Sequence, residues 1–385
     1  MATSNRLRLL GLALMEQGVE VTVLVTRASE PPDAPLNHLA RGVVDGIPFV
    51  YTPGTTFRSG SFLMRRARDA RGFVGALAEL GRLRLMGQLD CAYLSLGARE
   101  WKIGLSAWAW SLSMLRVPFV VELNEGPWRV SRSRAPLSRW TSQLAAASGV
   151  LAISRYLAQW SIREGHRIGR DVAVLEVPIM VDIAQHAVDD FESAEPTLVY
   201  SASTGYGAAL QFILHTMREV WRRRPDCRLV VTGMRPDWAA NVVAELEMER
   251  HVQDGGIVLA GYLPRQELLA LYSKATALLI PLFDDLASQA RFPTKLGEYL
   301  ASGRPVVSNH IGEVGRFVRD GETAFLSPAG DVAAYSARIL DVLDDTASAR
   351  AVGRAGRRVA EEEFDYRLQG PRLRAFLEHI AARPL

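Results

Sequence analysis

Two cysteines in 385 residues, Cys91 and Cys227, are too few and too far apart for a disulfide framework or a CxxC pair. Each sits at the edge of an apolar run, which fits packing better than nucleophilic chemistry. A chain of this kind suits a reducing cytoplasm. A long uninterrupted apolar stretch is missing as well. The most apolar window, 103–123, contains Arg116, Pro118 and Glu122. It therefore reads as a buried helix, a turn and the strand FVVEL, not as a membrane span. The opening MATSNRLRLLGLALMEQG has no apolar core followed by a small-residue cleavage site, so no secretory signal is read there. The seven histidines show no HExxH spacing, and Asp-x-Asp and GxSxG do not occur. Zincin-type hydrolysis, a divalent ion gripping a diphosphate and a serine-hydrolase elbow are not indicated. No metal and no resident cofactor are expected.

What is present is an ordinary globular composition, 48% hydrophobic and 23% charged, long enough for two domains. The net charge of +3 hides an asymmetry. Residues 1–182 carry 22 Lys+Arg against 15 Asp+Glu, whereas residues 183–385 carry 23 against 27. Much of the basic excess lies in FRSGSFLMRRARDARGF (57–73) and PWRVSRSRAPLSRW (127–140). Such segments are either solvated helix faces or a basic, aromatic-containing surface for an anionic acceptor or a membrane leaflet. No recognised binding motif accompanies the charge, so nucleic acid is not expected.

Short apolar runs alternate with helical ones along the chain. In the first half they are VEVTVLVT (19–26), IPFVYTPG (47–54), DCAYLSLG (90–97), FVVEL (119–123), GVLAIS (149–154) and VAVLEVPI (172–179). In the second they are TLVYSAS (197–203), RLVVTG (228–233), GIVLAG (256–261), ATALLIPL (275–282), PVVSN (305–309) and AFLSP (324–328). Doubly apolar strands separated by helices predict an α/β protein with two parallel sheets, each covered on both faces. Acidic and small residues at 181–196 mark the join. The expected division is 1–183, 184–364 and a C-terminal helix 365–385 returning to the first domain. Two Rossmann-like domains would face each other across a cleft, with the site beyond the carboxyl ends of the strands.

The stretch RFPTKLGEYLASGRPVV (291–307) places Pro293 at the expected first position of a short helix that Gly303 stops. A helix N-terminus offers unpaired N–H groups to an anion, and Lys295 adds a full charge. Glu298 lies five residues beyond Pro293, roughly 7–8 Å along the axis at about 1.5 Å per residue. That matches the span from a diphosphate to the ribose of the same nucleotide. An ordinary capped helix with a solvent-facing glutamate is the competing explanation.

This stretch, followed by GEVGRFVRDGETAFLSPAGD (312–331), resembles the donor-binding half of retaining glycosyltransferases with the GT-B fold, of the glycosyl transferases group 1 kind. GVLAISRYLAQW, VPIMVDIAQH, RLVVTGMRPD, VLAGYLPRQELLALYSKATALLIPL and EEEFDY resemble further segments of that family, in the same order. The resemblance implies that Glu298 holds the nucleotide ribose. It implies that the backbone of Phe292, Pro293, Thr294 and Lys295 lies against diphosphate and sugar, and that Gly261, Tyr262 and Leu263 pack around the base. A retained anomeric configuration and independence from metal also come from it.

The departures are specific. The first glutamate of the family's pair is Ala290 here, and Arg291 replaces a glycine. The turn 203–208 reads Ser-Thr-Gly-Tyr-Gly-Ala, without the usual Arg and Lys for the diphosphate, leaving Gly205 and Tyr206 at that place. Arg291 and Lys295 are expected to take over this charge. GYG is not a dinucleotide fingerprint, because Leu210 stands where a small residue is needed and Thr232-Gly233 where an acid is needed. Asn124 and Glu125, ending the strand FVVEL, are expected to meet the acceptor, with an Asx-type turn before Gly126-Pro127 as the alternative.

The expected function is transfer of a sugar from a nucleotide diphosphate sugar to a hydroxyl acceptor, anionic or lipid-linked, in cell-surface polysaccharide, glycolipid or glycoconjugate synthesis. Peripheral association with the inner face of a membrane goes with it. A nucleotide-sugar epimerase or phosphorylase of the same fold, or a non-catalytic sugar-nucleotide-binding paralogue, stays open. The family opens with a strand and a glycine turn ahead of the first helix, so natural residues upstream of Met1 are expected too.

Overall fold

The computed structural model describes residues 2–33, 35–95, 104–124, 144, 146–187 and 195–383. Its strands are β1 Val23–Val25, β2 Arg41–Val44, β3 Ile47–Tyr51, β4 Ala92–Leu94, β5 Phe119–Leu123, β6 Gly149–Ala152, β7 Ala173–Glu176, β8 Thr197–Ser201, β9 Arg228–Thr232, β10 Ile257–Gly261, β11 Ala277–Ile280, β12 Val306–Asn309 and β13 Phe325–Ser327. Every apolar run quoted above contains one of them. The hairpin strand β2 is an addition. It pairs antiparallel with β3 across Asp45-Gly46, both at positive φ (50° and 81°). That is the hairpin turn an Asp-Gly pair favours, and the sequence carried the signal.

Two sheets were expected, and three form among the described residues. Their orders are β1-β3-β2, β4-β5-β6-β7 and β10-β9-β8-β11-β12-β13. Among the described residues the first half divides between β1, which pairs with β3, and β4, which pairs with β5. Apart from the β2–β3 hairpin, all pairings are parallel.

The six-stranded sheet shows why its strands are apolar on both faces. Leu198 and Tyr200 of β8 point into one core with Leu229, Val231, Leu279 and Val307, while Val199 joins another with Val230, Leu278 and Ile280. Side chains alternate across a strand, so a strand covered on both sides has no solvent face. Helix Gly207–Arg223 covers one side through buried Leu210, Ile213, Leu214, Met217 and Val220, at the three- and four-residue spacing of a helix face. The apolar window 103–123 folds as the helix Gly104–Met114 and the fully buried β5, with Arg116 in the turn at φ 51°. Among the described residues no helix is long and apolar enough to cross a membrane. Burial pushes both cysteine thiols up to about 12, so neither is a ready nucleophile.

The last helix, Tyr366–Ala382, packs on the first, Ala2–Met15. Leu9, Leu10, Leu373 and Ile380 share one apolar cluster. Gly370 lets the backbones approach; a Cβ there would stand 2.6 Å from the Ala13 carbonyl oxygen. Tyr366 donates to Glu16 at 2.8 Å, and Arg374 to the Gln17 carbonyl at 2.7 Å. Arg6 anchors the first helix to the second sheet. It donates to Glu122 of β5 and to the carbonyls of Pro178 (2.6 Å) and Val177 (2.8 Å), and both charged side chains are buried.

Candidate functional site

The helix in the 291–307 stretch runs Lys295–Ala301, with Thr294 as its cap. Pro293 therefore precedes the first turn instead of opening it, because Thr294 already has helical dihedrals while making no side-chain cap. Gly303, at φ 72°, ends the helix as expected and leads into β12. At Glu298 the competing explanation, a solvent-facing glutamate, does not hold: the residue is 8% exposed. Its Oε1 accepts from Arg265 and its Oε2 from Lys295 at 3.2 Å. Burial alone would raise this carboxyl, but Lys295 and Arg265 together hold it below the ordinary value of 4.5. Lys295 also reaches the Tyr272 hydroxyl at 3.1 Å. Tyr272 packs edge-on against Tyr299, whose hydroxyl accepts from the Ser201 N–H at the end of β8.

Arg265 went unnoticed in the sequence, although a cation in the first turn of a helix, Arg265–Lys274, opposes the helix dipole and is a usable signal. His186 lies in the same cluster. It is 5% exposed, its Nε2 has no hydrogen-bond partner among the described residues, and burial lowers its pKa to about 4. The Glu298 charge works in the opposite direction, while Arg265 and Arg357 add to the lowering. The ordinary value is 6.5, so between pH 6.5 and about 4 the unfolded chain binds a proton that the folded chain refuses. Stability should fall through that window as pH drops, by about 3 kcal/mol in all. Urea unfolding at a series of pH values should show this slope, and His186→Gln should flatten it by close to one proton.

Arg291 follows the short helix Leu286–Ala290 and lies over the Tyr206 ring, 5.0 Å from its centroid. The turn Thr204–Tyr206 leads straight into the helix Gly207–Arg223, so the two expected phosphate-side segments meet. Gly205 is exposed there. Behind this turn, Gly233 sits at φ 83°, where a Cβ would come 2.9 Å from the Ala202 carbonyl. The Gly233 N–H and the Thr232 hydroxyl both donate to the Gly261 carbonyl, at 2.8 and 2.7 Å. The loops at the carboxyl ends of β8, β9 and β10 are thereby tied together. Tyr262 stands 54% exposed beyond Gly261, with Leu263 half-buried after it.

Phe292 turns inward, stacked 5.2 Å from Phe317 and edge-on to Phe364, so only its backbone is open to a ligand. Pro293 is half-buried and Thr294 exposed. Ala290 is buried, and its carbonyl accepts from the Ser154 hydroxyl across the two halves of the chain. A second cross-link is the Arg155 N–H to Glu313 at 2.7 Å, with Arg316 bridging Glu313 and Glu176. Asn124 ends β5 with its buried Oδ1 unpartnered among the described residues; Glu125 and the basic segment 127–140 lie outside them. The structure thus joins Lys295 with Glu298 and Arg291 with Tyr206, and ties Asn124 to none of these. A cationic loop, a carboxylate with both oxygens aimed by cations, and three strand-end turns suit a phosphate-bearing ligand with hydroxyls to bind.

Residues 195–345 match the family model "Glycosyl transferases group 1". A glycogen synthase of Mycobacterium tuberculosis is 28% identical over 171 residues, 44% of this chain and 39% of the relative. A GDP-mannose-dependent alpha-(1-6)-phosphatidylinositol monomannoside mannosyltransferase of Mycolicibacterium smegmatis is 27% identical over 247 residues, 60% of this chain and 62% of the relative. The chain therefore spans under two thirds of the length of these relatives. A sucrose-phosphate synthase from Thermosynechococcus elongatus superposes with a TM-score of 0.71 over 98% of this chain and 92% of that one, at 17% identity. Residues 195–345 form a glycosyl transferases group 1 domain, set in a chain with the GT-B fold.

Proposed function

We propose that this protein transfers a sugar from a nucleotide diphosphate sugar to a hydroxyl acceptor, with retention at the anomeric carbon. The observation that carries the proposal is Arg291 lying over the Tyr206 ring at the Gly205–Tyr206 turn, with Lys295 paired to Glu298 on the helix that follows Arg291, all within the residues that match the group 1 model. Glu298 accepts the ribose hydroxyls: a carboxylate has about four acceptor sites, and Arg265 and Lys295 occupy two. Arg291 and Lys295 stabilise the charge that grows on the departing diphosphate. Gly261, Tyr262 and Leu263 flank the base, and Asn124 and Glu125 position the acceptor. Retention follows the family resemblance, and the donor class is in keeping with the GDP-mannose dependence in the name of the mycolicibacterial relative.

The test combines a thermal-shift panel of UDP-, GDP-, ADP- and dTDP-sugars with product analysis over an acceptor screen. Selective donor binding adds stability as RT ln(1 + [L]/Kd). On the donor so found, Lys295→Met and Arg291→Met should each lower kcat about tenfold or more and leave donor affinity nearly unchanged, since charge on the leaving group grows towards the transition state. An equal loss in both would mean these cations bind the ground state only. The second reading is a sugar-nucleotide-binding paralogue without turnover. It is favoured by Ala290, which offers no carboxylate and whose carbonyl is already tied to Ser154. Donor binding with no product from any acceptor would select it.

A further inference from the structure

A cavity of about 560 Å³, lined by none of the donor-loop residues, lies between the segments that follow β1 and β3 and the start of helix Phe62–Leu85. Among the described residues its walls carry Arg27, Arg58, Arg65, Arg66 and Arg68, with Asp69 as the acid among them. The frame is built by backbone contacts. The Glu30 N–H donates to the Thr56 carbonyl at 2.9 Å and the Arg58 N–H to the Glu30 carbonyl at 2.8 Å, which ties the two strand-end loops side by side. The helix is pressed onto them at Gly72, where a Cβ would stand 2.0 Å from the Thr26 carbonyl, and Thr52 donates to the Gly72 carbonyl at 2.7 Å.

The arginines are aimed as well as concentrated. Arg65 donates through one terminal nitrogen to the carbonyls of Ser59 and Gly60, at 3.1 and 2.7 Å, and Arg68 through one to Phe57 at 2.7 Å. A guanidinium has five N–H donors in a planar fork, so each keeps donors beyond those it spends on the loop. The charge balance is the second point. Asp69 stands 3.8 Å from Arg27 and 3.6 Å from Arg66, and among the described lining residues it is the one carboxylate facing Arg58, Arg65, Arg66 and Arg68. Clustered like charges are unfavourable unless an anion joins them. Arg66 also lies over the ring of Phe62, which is 59% exposed, and Leu63 and Met64 beside it are exposed too. The opening is therefore cationic inside and apolar on one lip.

We propose that this cavity is a second anion site, separate from the donor loop, that binds a phosphate ester. Planar forks converging from several sides match the tetrahedral oxygens of a phosphate, and two forks can share one group. That the phosphate belongs to the sugar acceptor rests on the transfer reading; that the cavity binds phosphate does not.

The experiment uses the full chain and no nucleotide sugar, so failure of sugar transfer leaves it unaffected. Calorimetry with glycerol 3-phosphate compares the unmodified protein, the double variant Arg58→Gln/Arg66→Gln and the control Arg84→Gln, which changes an exposed arginine in the last turn of the same helix. Sedimentation with phosphatidylcholine vesicles, plain or containing phosphatidic acid, offers the same headgroup on a lipid. The double variant should weaken binding about tenfold or more, the control should not, and added salt should weaken all of it. Binding of the soluble ester alone assigns a free phosphorylated ligand. Binding of phosphatidic acid vesicles alone assigns a lipid, held by the apolar lip. No binding of either probe, or binding that the double variant leaves unchanged, overturns the site.

Discussion

Arg6→Met should destabilise the protein by about 3–5 kcal/mol, because it leaves the Glu122 carboxylate buried without its cation. The pair joins residues 116 positions apart, with side chains 5% and 1% exposed. Two more bonds, to the carbonyls of Val177 and Pro178, vanish in the same variant. The Glu122 Oε2 has no hydrogen-bond partner among the described residues, and the neutral Tyr93 hydroxyl beside Glu122 cannot replace the lost cation. Urea unfolding of Arg6→Met, Glu122→Leu and the double variant closes a mutant cycle. The double variant should lose less than the sum of the two single ones, since an apolar replacement of a whole buried pair is often well tolerated. Additive losses would mean that Arg6 acts through packing and its carbonyl bonds, with no coupling to Glu122.

Glu298→Gln should lower donor affinity about tenfold or more, through lost charge-assisted bonds of about 1.5–3 kcal/mol each. Burial of Glu298 between two cations means that the same variant should also lower the ligand-free melting temperature. Arg265 and Lys295 keep about a third of their side chains exposed (36% and 31%), so the cost should be about 1–2 kcal/mol, below that of a sealed pair. The same linkage gives a pH dependence. The lowered folded pKa means that this contribution is complete above about pH 4.5 and fades as pH falls through the folded value.

Arg265→Met separates the two roles of Glu298. It removes one ion-pair partner and leaves the carboxylate in place, so stability should drop while donor affinity stays within a few-fold. If Arg265→Met and Glu298→Gln weaken donor binding equally, the ion pair builds the loop and Glu298 does not hold the ribose. Thermal melts and donor titrations on the same preparations make the comparison.

Local pattern determined a large part of this protein. Each strand of the six-stranded sheet is apolar on both faces and bounded by helices, so its existence and its parallel neighbours follow from composition along a few residues. The turn at Asp45-Gly46 and the stop at Gly303 are equally local, since each depends on one backbone conformation that glycine accepts. The placement of Arg291 beside the glycine turn at 205–207 followed from motif order, and the ring contact with Tyr206 agrees with it.

Tertiary structure alone decided the charge partners that lie far apart in the sequence. Glu298 meets Arg265 from 33 residues away, and Arg6 meets Glu122 across half of the first domain's strands. No periodicity encodes such a meeting, because it depends on which loops the sheet order brings to one edge. Burial of Glu298 and His186 is of the same kind: a short polar segment looks solvent-facing until a neighbouring helix and its arginine close over it. The arginine cavity shows the combination. Its charges were visible as a run at 57–73, but only the pairing of the β1 and β3 loops, and the close seat of the helix at Gly72, turn a basic helix face into a concave site.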